Sequence, residues 1–392
     1  MSRRSSNPIQ FRRPRGAAQE QAVKPAPRKG SVDAPLFVVV GILLIFGLIM
    51  VYSSSAYTAR VEYNDATRFL FDQARNMAIG VVVMVIVTFI PPVFWRKISG
   101  FVYVVATLSI LVVLSPLGKT VNGARRWINL KVMTVQPAEL AKFGLILASA
   151  ALIAKLYKQL DEIIPYVMVL ALGGIAAILI IMITDDLGSG IIILAITYIG
   201  LIVSCPKVKY LLATGALGVL AVVGSVLIKP YRMDRIRAWL HIEQYSGSLG
   251  YQVMQALYAI GSGGFFGKGL GKSTQKLGFV PENENDMIFS IICEELGIVG
   301  GIALIALFIY LIYRLSKIYK KTLDRFGRLV VLGVMTHIAV QTIINLAVVT
   351  NLIPNTGVPL PFISYGGTSI IIIMAEIGLA QAVSRHPDPE GE

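Results

Sequence analysis

Leu36–Ser53 reads LFVVVGILLIFGLIMVYS, eighteen residues without one charged side chain. A stretch of about 18 apolar residues is long enough to cross a bilayer as a helix. Upstream, Met1 to Val32 is basic and polar, with Arg3, Arg4, Arg12, Arg13, Arg15, Lys24, Arg28 and Lys29. That tail has no apolar segment of its own, so no cleavable signal peptide is expected and the first span should stay as an anchor. The tail has little to bury and is expected to be disordered.

Downstream the pattern recurs. Ten spans are expected, at about Leu36–Ser53, Met77–Phe89, Val102–Leu114, Glu139–Ala154, Ile164–Ile183, Gly190–Val203, Tyr210–Leu227, Met287–Tyr313, Leu329–Val349 and Ser364–Ala382. The second and third are short and must borrow flanking residues to cross. The composition agrees: 55% apolar, 15% charged, mean hydropathy +0.70. Soluble domains carry roughly 25% charged residues. The expected fold is therefore an all-α polytopic membrane protein of about ten helices. A tail (1–34) precedes the membrane domain (35–385), a large outer loop (228–286) joins spans seven and eight, and a short tail (386–392) ends the chain.

The formal charge of +14 does not point to nucleic acid, because the positives sit in the tail and in short loops. Cys205 and Cys293 lie in or beside apolar segments and imply no disulfide framework. With ten spans both termini share a side. The basic tail and the cluster Arg314, Lys317, Lys320, Lys321, Arg325 and Arg328 make that side cytoplasmic. Lys119, Arg125, Arg126, Lys131, Lys229, Arg232, Arg235, Arg237, Lys268, Lys272 and Lys276 then fall outside. They run against the retention rule. An anionic substrate on the outer face would explain them, as would contact with membrane lipid headgroups.

Gly250 to Gly297 is the longest stretch unlike the spans: GYQVMQALYAIGSGGFFGKGLGKSTQKLGFVPENENDMIFSIICEELG. Gly250 to Phe266 has too few apolar residues to span and suits an interfacial or re-entrant half-helix. A glycine-rich segment follows; it is not a Walker A loop and serves equally as a hinge or a close-approach surface. Then come Glu282, Glu284 and Asp286, where the eighth span begins. Asp286 is a candidate N-cap and a candidate base. A helix dipole lowers a carboxylate's basicity, so burial or neighbouring carboxylates would have to restore it. Glu282 and Glu284 could supply that, or help to hold a divalent cation.

Three further constellations stand near the outer face, two of them charged. Arg125, Arg126 and Trp127 suit a pyrophosphate at headgroup depth: Arg forks bind phosphate oxygens bidentately and Trp favours the interface. Simple anchoring is the plain alternative. Glu139 and Lys142 open the fourth span at i,i+3 and can pair on one face. Pro359 and Pro361 forbid helix before Phe362, and Ser364 can cap the last helix.

These stretches together resemble the SEDS family, which includes FtsW, RodA and SpoVE. The residues that carry the resemblance are Gly250-Tyr251-Gln252, Ala259 to Gly264, Gly267 to Gly271, Pro281-Glu282, Asp286 to Phe289 and Glu294 to Gly297. Gly123 to Ile128, Gln136 to Lys142, Asp186 to Gly188 and Thr356 to Gly367 add to it. Met287 replaces the family's Phe, and Thr184-Asp185 replaces its Gln-Pro. Gly271 to Lys276 leans toward the FtsW/SpoVE branch.

The resemblance implies a peptidoglycan glycosyltransferase that polymerises lipid II outside the cytoplasmic membrane in division or spore-wall synthesis. Asp286 would be the catalytic residue, with Glu282 beside it. Arg125, Arg126, Trp127, Glu139, Lys142, Arg235, Lys268, Lys276 and Ser364 are the candidate substrate contacts. Implied partners are a class B penicillin-binding protein and other division or sporulation proteins; no nucleic acid is involved. No cofactor is required by the motifs, with Mg2+ or Mn2+ left open. A lipid II flippase is the rival; it would place polar residues at mid-bilayer, reachable from both sides. A scaffold without chemistry would not need Asp286.

Overall fold

A computed structural model describes residues 30–121, 123–130 and 134–387. Most of the basic tail, the final five residues and Lys131 lie outside the described residues. Among those described, ten helices are long and apolar enough to cross a membrane. They are α1 (Ala34–Tyr63), α2 (Arg68–Phe89), α3 (Pro92–Val112), α4 (Pro137–Leu156), α5 (Ile163–Ile183), α6 (Leu187–Ser204), α7 (Val208–Ile228), α10 (Ile288–Lys321), α11 (Arg325–Val349) and α12 (Gly367–Arg385). Two shorter helices, α8 (Pro230–Leu240) and α9 (Tyr251–Gly263), fill much of the stretch expected as a large loop.

The helices begin where backbone chemistry favours it. Asp33 caps α1 by accepting from the Leu36 N–H, and proline occupies the first turn of α3, α4 and α8. Helices α2 and α3 start well before the apolar runs at Met77 and Val102. Their opening turns, RFLFDQARN and PVFWRKISG, are too polar for hydropathy to include, yet nothing in them breaks a helix.

The bundle is densest around α11 and α12, where 72% of the apolar window is buried in each. Helix α12 packs on α2, α3 on α4, and α5 on α6. The α2–α12 crossing is close: a Cβ at Gly378 would lie 2.6 Å from the carbonyl oxygen of Met84. Helix α7 is the opposite case, with 6% of its window buried. Its side chains face outward almost all round, as a lipid-facing flank would.

Among the described residues the fold departs from all-α at one place. Gly118–Val121 (β1), Ala124–Asn129 (β2) and Thr134–Val135 (β3) form an antiparallel sheet in the α3–α4 connection. Gly123 turns the first hairpin at φ +76°. Expected as a plain loop, the Arg125–Trp127 motif is thus on a strand.

A second glycine shapes α10. Gly297 interrupts the helix at φ 70°, ψ −171°. A Cβ there would meet the Phe265 carbonyl oxygen at 2.3 Å, so the glycine-rich segment packs directly onto the kink.

Candidate active site

All the chemistry gathers at one end of the bundle. There α1, α3 and α5 finish, α2, α4, α6 and α12 begin, and α8 and α9 sit across the top. A cavity of about 1040 Å³ opens between them. Its wall carries Arg68, Arg75, Lys119, Arg126, Arg235 and Lys142 together with Glu62, Asp72, Glu139, Glu282, Glu284 and Asp286. The opposite end holds Arg314, whose fork binds the Asp33 carboxylate at 2.7 and 3.1 Å.

Asp286 lies in the cavity wall and is 5% exposed. It does not cap α10: the cap position is Met287, and no side chain accepts from the helix's first amides. The expected capping role is therefore wrong. The chain turns between Pro281 and Met287, with Glu282 at φ +55°, before α10 begins at Ile288. Released from capping, the carboxyl is governed by its surroundings. Burial first, and then the charge of Glu282, push it up to about 7, against the opposing charge of Arg235. Glu284 is likewise pushed up to about 7, first by burial and then by Glu282 and Glu62.

The acidic segment is tightly held. The Tyr365 N–H donates to the Glu284 carbonyl at 2.8 Å, the Ser364 hydroxyl to the Asn285 carbonyl at 2.7 Å, and Asn345 Nδ2 to the Asp286 carbonyl at 2.7 Å. Asn283 Nδ2 donates to the Lys276 carbonyl at 3.0 Å. Ser364 is thus a backbone clamp; it neither caps the last helix, whose cap is Gly366, nor lines the cavity.

Strand geometry divides the arginine pair. Successive side chains on β2 point to opposite faces. Arg126 faces the cavity, with Nε donating to the Thr184 carbonyl at 3.0 Å and Nη2 to that of Asp185 at 2.8 Å. Arg125 turns away and ties the end of α3, donating to the Ser115 carbonyl at 2.6 Å and that of Gly118 at 3.3 Å. Trp127 and Arg235 also line the cavity. Arg235 donates to the Asn355 carbonyl at 3.0 Å. Burial, and then the charge of Arg126, pull its guanidinium below the ordinary value, so this wall favours an incoming anion.

Glu139 and Lys142 pair as expected, at 2.7 Å, each 1% exposed, on the cavity floor. Lys142 also donates to Gln341 Oε1 at 3.0 Å. His337 Nε2 meets the same oxygen at 2.9 Å, and His337 Nδ1 meets Glu376 at 2.8 Å. A chain of buried polar groups therefore leads from the floor into the bundle, which accounts for the charges within these spans.

Lys268 and Lys276 do not reach the cavity. Lys268 is 2.6 Å from Glu294 and Lys276 is 2.8 Å from Glu295, both carboxylates fully buried on α10. Ser273 also donates to Glu294, and Ser53 of α1 to Glu295 at 2.7 Å. The glycine-rich segment is thereby pinned to the helix. The lysines were expected at the substrate because their buried partners lie some twenty residues away in the chain.

Sequence reasoning gave no site role to Gln252 or Asn355, which it met only within longer motifs, read Asn345 as glue between helices, and passed over the α1–α2 mouth. The mouth did leave a signal: Arg68, Asp72 and Arg75 are spaced i,i+4 and i,i+3 just before an apolar run, and they pair at 3.3 and 3.2 Å. The amides left no signal of their contacts, which are made by tertiary packing. Asp186 is structural: it caps α6, accepting from the Ser189 N–H at 2.9 Å. Among the described residues no group of three or more His, Cys, Asp or Glu side chains converges to hold a metal ion. The three carboxyls of the acidic segment do not form a cage.

Comparison with known proteins places these features in context. The profile of the family described as "Cell cycle protein", FtsW/RodA/SpoVE, matches residues 34–388. The chain is 37% identical over 361 residues to the stage V sporulation protein E of Bacillus subtilis, covering 92% of this chain and 98% of that one. It is 35% identical over 362 residues to a probable peptidoglycan glycosyltransferase FtsW of Trichlorobacter lovleyi, covering 91% and 94%. Among solved structures, a chain from work on polymerization and crosslinking by a peptidoglycan synthase complex superposes with a TM-score of 0.76 at 26% identity, covering 90% and 98%. The rod shape determining protein RodA of Thermus thermophilus gives 0.66 at 25% identity, covering 90% and 97%.

Proposed function

The chain belongs to the FtsW/RodA/SpoVE family of cell cycle proteins, and from that premise we propose that it is a peptidoglycan glycosyltransferase that joins lipid-linked disaccharides into glycan strands. The observation that carries the mechanism is Asp286: a buried carboxyl in the wall of a polar cavity, with a proton affinity close to neutrality. A general base works best when its pKa lies near the working pH.

The substrate is lipid II. Asp286 takes the proton from the 4-hydroxyl of the acceptor sugar as that oxygen attacks C1 of the donor. The C1–oxygen bond to pyrophosphate breaks with inversion, and the leaving group carries away the electron pair. Arg126, Arg235 and Lys142 face the same cavity and supply positive charge for that anion. A positioned base contributes about 10²–10⁴-fold, and alignment of two held reactants can contribute more. A Mg2+ or Mn2+ ion would enter with the pyrophosphate, since such ions are commonly bound through substrate phosphates.

The cavity end of the bundle is the outer end, and both termini are cytoplasmic. Arg314, Lys317, Lys320, Lys321, Arg325 and Arg328 lie around the opposite end, which supports this orientation. The partner is a class B penicillin-binding protein; likeness to a chain of a peptidoglycan synthase complex supports that pairing.

The test uses the full chain purified with that partner, its transpeptidase blocked, on lipid II in detergent. Glycan strands should form with the parent protein and vanish with Asp286→Asn. Near-normal strands from the Asn variant would sink the base assignment. Absence of strands with varied divalent cations, alongside movement of labelled lipid II between vesicle leaflets, would favour the flippase.

A further inference from the structure

A carboxylate that takes a proton does so through one oxygen, and a hydrogen bond to the other selects which one. Gln252, in the first turn of α9, touches one oxygen of Asp286. Its Nε2 donates to Oδ1 of Asp286 at 3.4 Å and to the Pro281 carbonyl at 3.1 Å. Its Oε1 accepts from Asn355 Nδ2 at 2.8 Å.

That last contact sets the amide's direction. An end-for-end flip of Gln252 would bring two NH2 groups together and turn its oxygen on a carbonyl and a carboxylate. Asn355 is in turn fixed, because its Oδ1 accepts from the Gly357 N–H at 2.9 Å. Oδ2 of Asp286 looks toward Gly357, where a Cβ would lie 3.9 Å away. The charged groups that act on Asp286 are Glu282 and Glu284 from its own segment and Arg235 from α8.

We propose that Gln252 is a positioning residue for Asp286: held by Asn355, its NH2 group engages Oδ1 and leaves Oδ2 as the oxygen that accepts the proton. This rests on the reading of Asp286 as the base. Gln252 would then contribute to turnover and not to substrate affinity, and Asn355 would act through Gln252.

The experiment compares variants of the full chain with its penicillin-binding partner in the lipid II assay, with Asp286→Asn in the same series. Gln252→Met keeps the side chain's length, adds no charge and removes the donor. It should lower maximal turnover roughly tenfold, the scale of one hydrogen bond to a charged group, with half-saturation unchanged. Asn355→Asp keeps the acceptor for Gly357 but attracts the Gln252 NH2 group, turning its oxygen on Asp286; turnover should fall similarly. The double variant Gln252→Met, Asn355→Asp should be no worse than Gln252→Met alone, within about twofold. Full turnover in Gln252→Met, a raised half-saturation without loss of turnover, or multiplied losses in the double variant would each overturn the proposal while an inactive Asp286→Asn leaves the base in place. Strands at the parent rate from Asp286→Asn would bring down both.

Discussion

At the scale of residues, the informative one is Asp286, which had two candidate jobs and does not do the capping one. Freed from the helix start and buried, Asp286 holds its proton up to about 7. The sign of the pH dependence follows. The base must be ionised to work, so turnover should climb as pH rises through about 7 and level off above it. On the acid side it should fall by roughly tenfold per pH unit. Glu282 and Glu284 interact with Asp286, so the midpoint belongs to the cluster, not to one group. Stability runs the other way. Folded-state values raised above those of the unfolded chain bind extra protons, so the contribution of Asp286 and Glu284 is fullest below about pH 4 and is lost as pH rises through about 7. A pH–turnover profile flat between pH 5.5 and 8 would contradict this account. The candidate was legible because an acidic run before an apolar run is visible in any sequence. Its proton affinity was not, because that depends on Arg235 and on burial by α9 and the segment after α11, both distant in the chain.

At the scale of elements, one short strand changes the meaning of a motif. Read as a loop, Arg125 and Arg126 looked like two equivalent phosphate ligands. On β2 they face opposite ways, one bound to the end of α3 and one in the cavity. Arg126→Ala should therefore raise the lipid II concentration needed for half-maximal polymerisation, and Arg126→Lys should restore only part of it, since Lys cannot form the bidentate fork. Arg125→Ala should leave that concentration unchanged and lower thermal stability by about 1 kcal/mol through its lost helix-end bonds. Equal effects on substrate dependence would mean the strand's facing is wrong. The spans themselves were legible from hydropathy, and their ends were not. Opening turns such as Arg68 to Asn76 are polar because they line a cavity, a reason invisible to local hydropathy. The half-helix at Tyr251–Gly263 was expected, and its buried face of Val253, Ala256 and Ala259 lies on small residues, which lets it sit close against α10.

At the scale of the whole molecule, the arrangement is two-ended, with catalytic candidates at one mouth and basic loops at the other. Single cysteines at positions 272 and 320, both exposed, should label from opposite sides of the membrane: Lys272→Cys in intact cells, Lys320→Cys only after permeabilisation. The native Cys205 and Cys293 are buried and should give little background. Labelling in the reverse order would put the cavity in the cytoplasm. The overall count of ten spans and the grouping of motifs at one end followed from periodic apolar runs and an even number of crossings. What joins them into one site did not, since those contacts cross the whole chain: Asn345 to Asp286, Tyr365 to Glu284, Ser53 to Glu295.

The clamp on the acidic segment has a mechanical consequence. Three successive carbonyls are bolted to α11 and to the segment leading into α12, while the carboxyl they carry belongs to the start of α10. The mounting works as a strain gauge. A shift of α11 against α10 would therefore move the backbone that carries the Asp286 carboxyl. Whatever reseats α11 reseats the reacting carboxyl too, so the site's geometry is tied to the packing of the bundle and not only to its own loop.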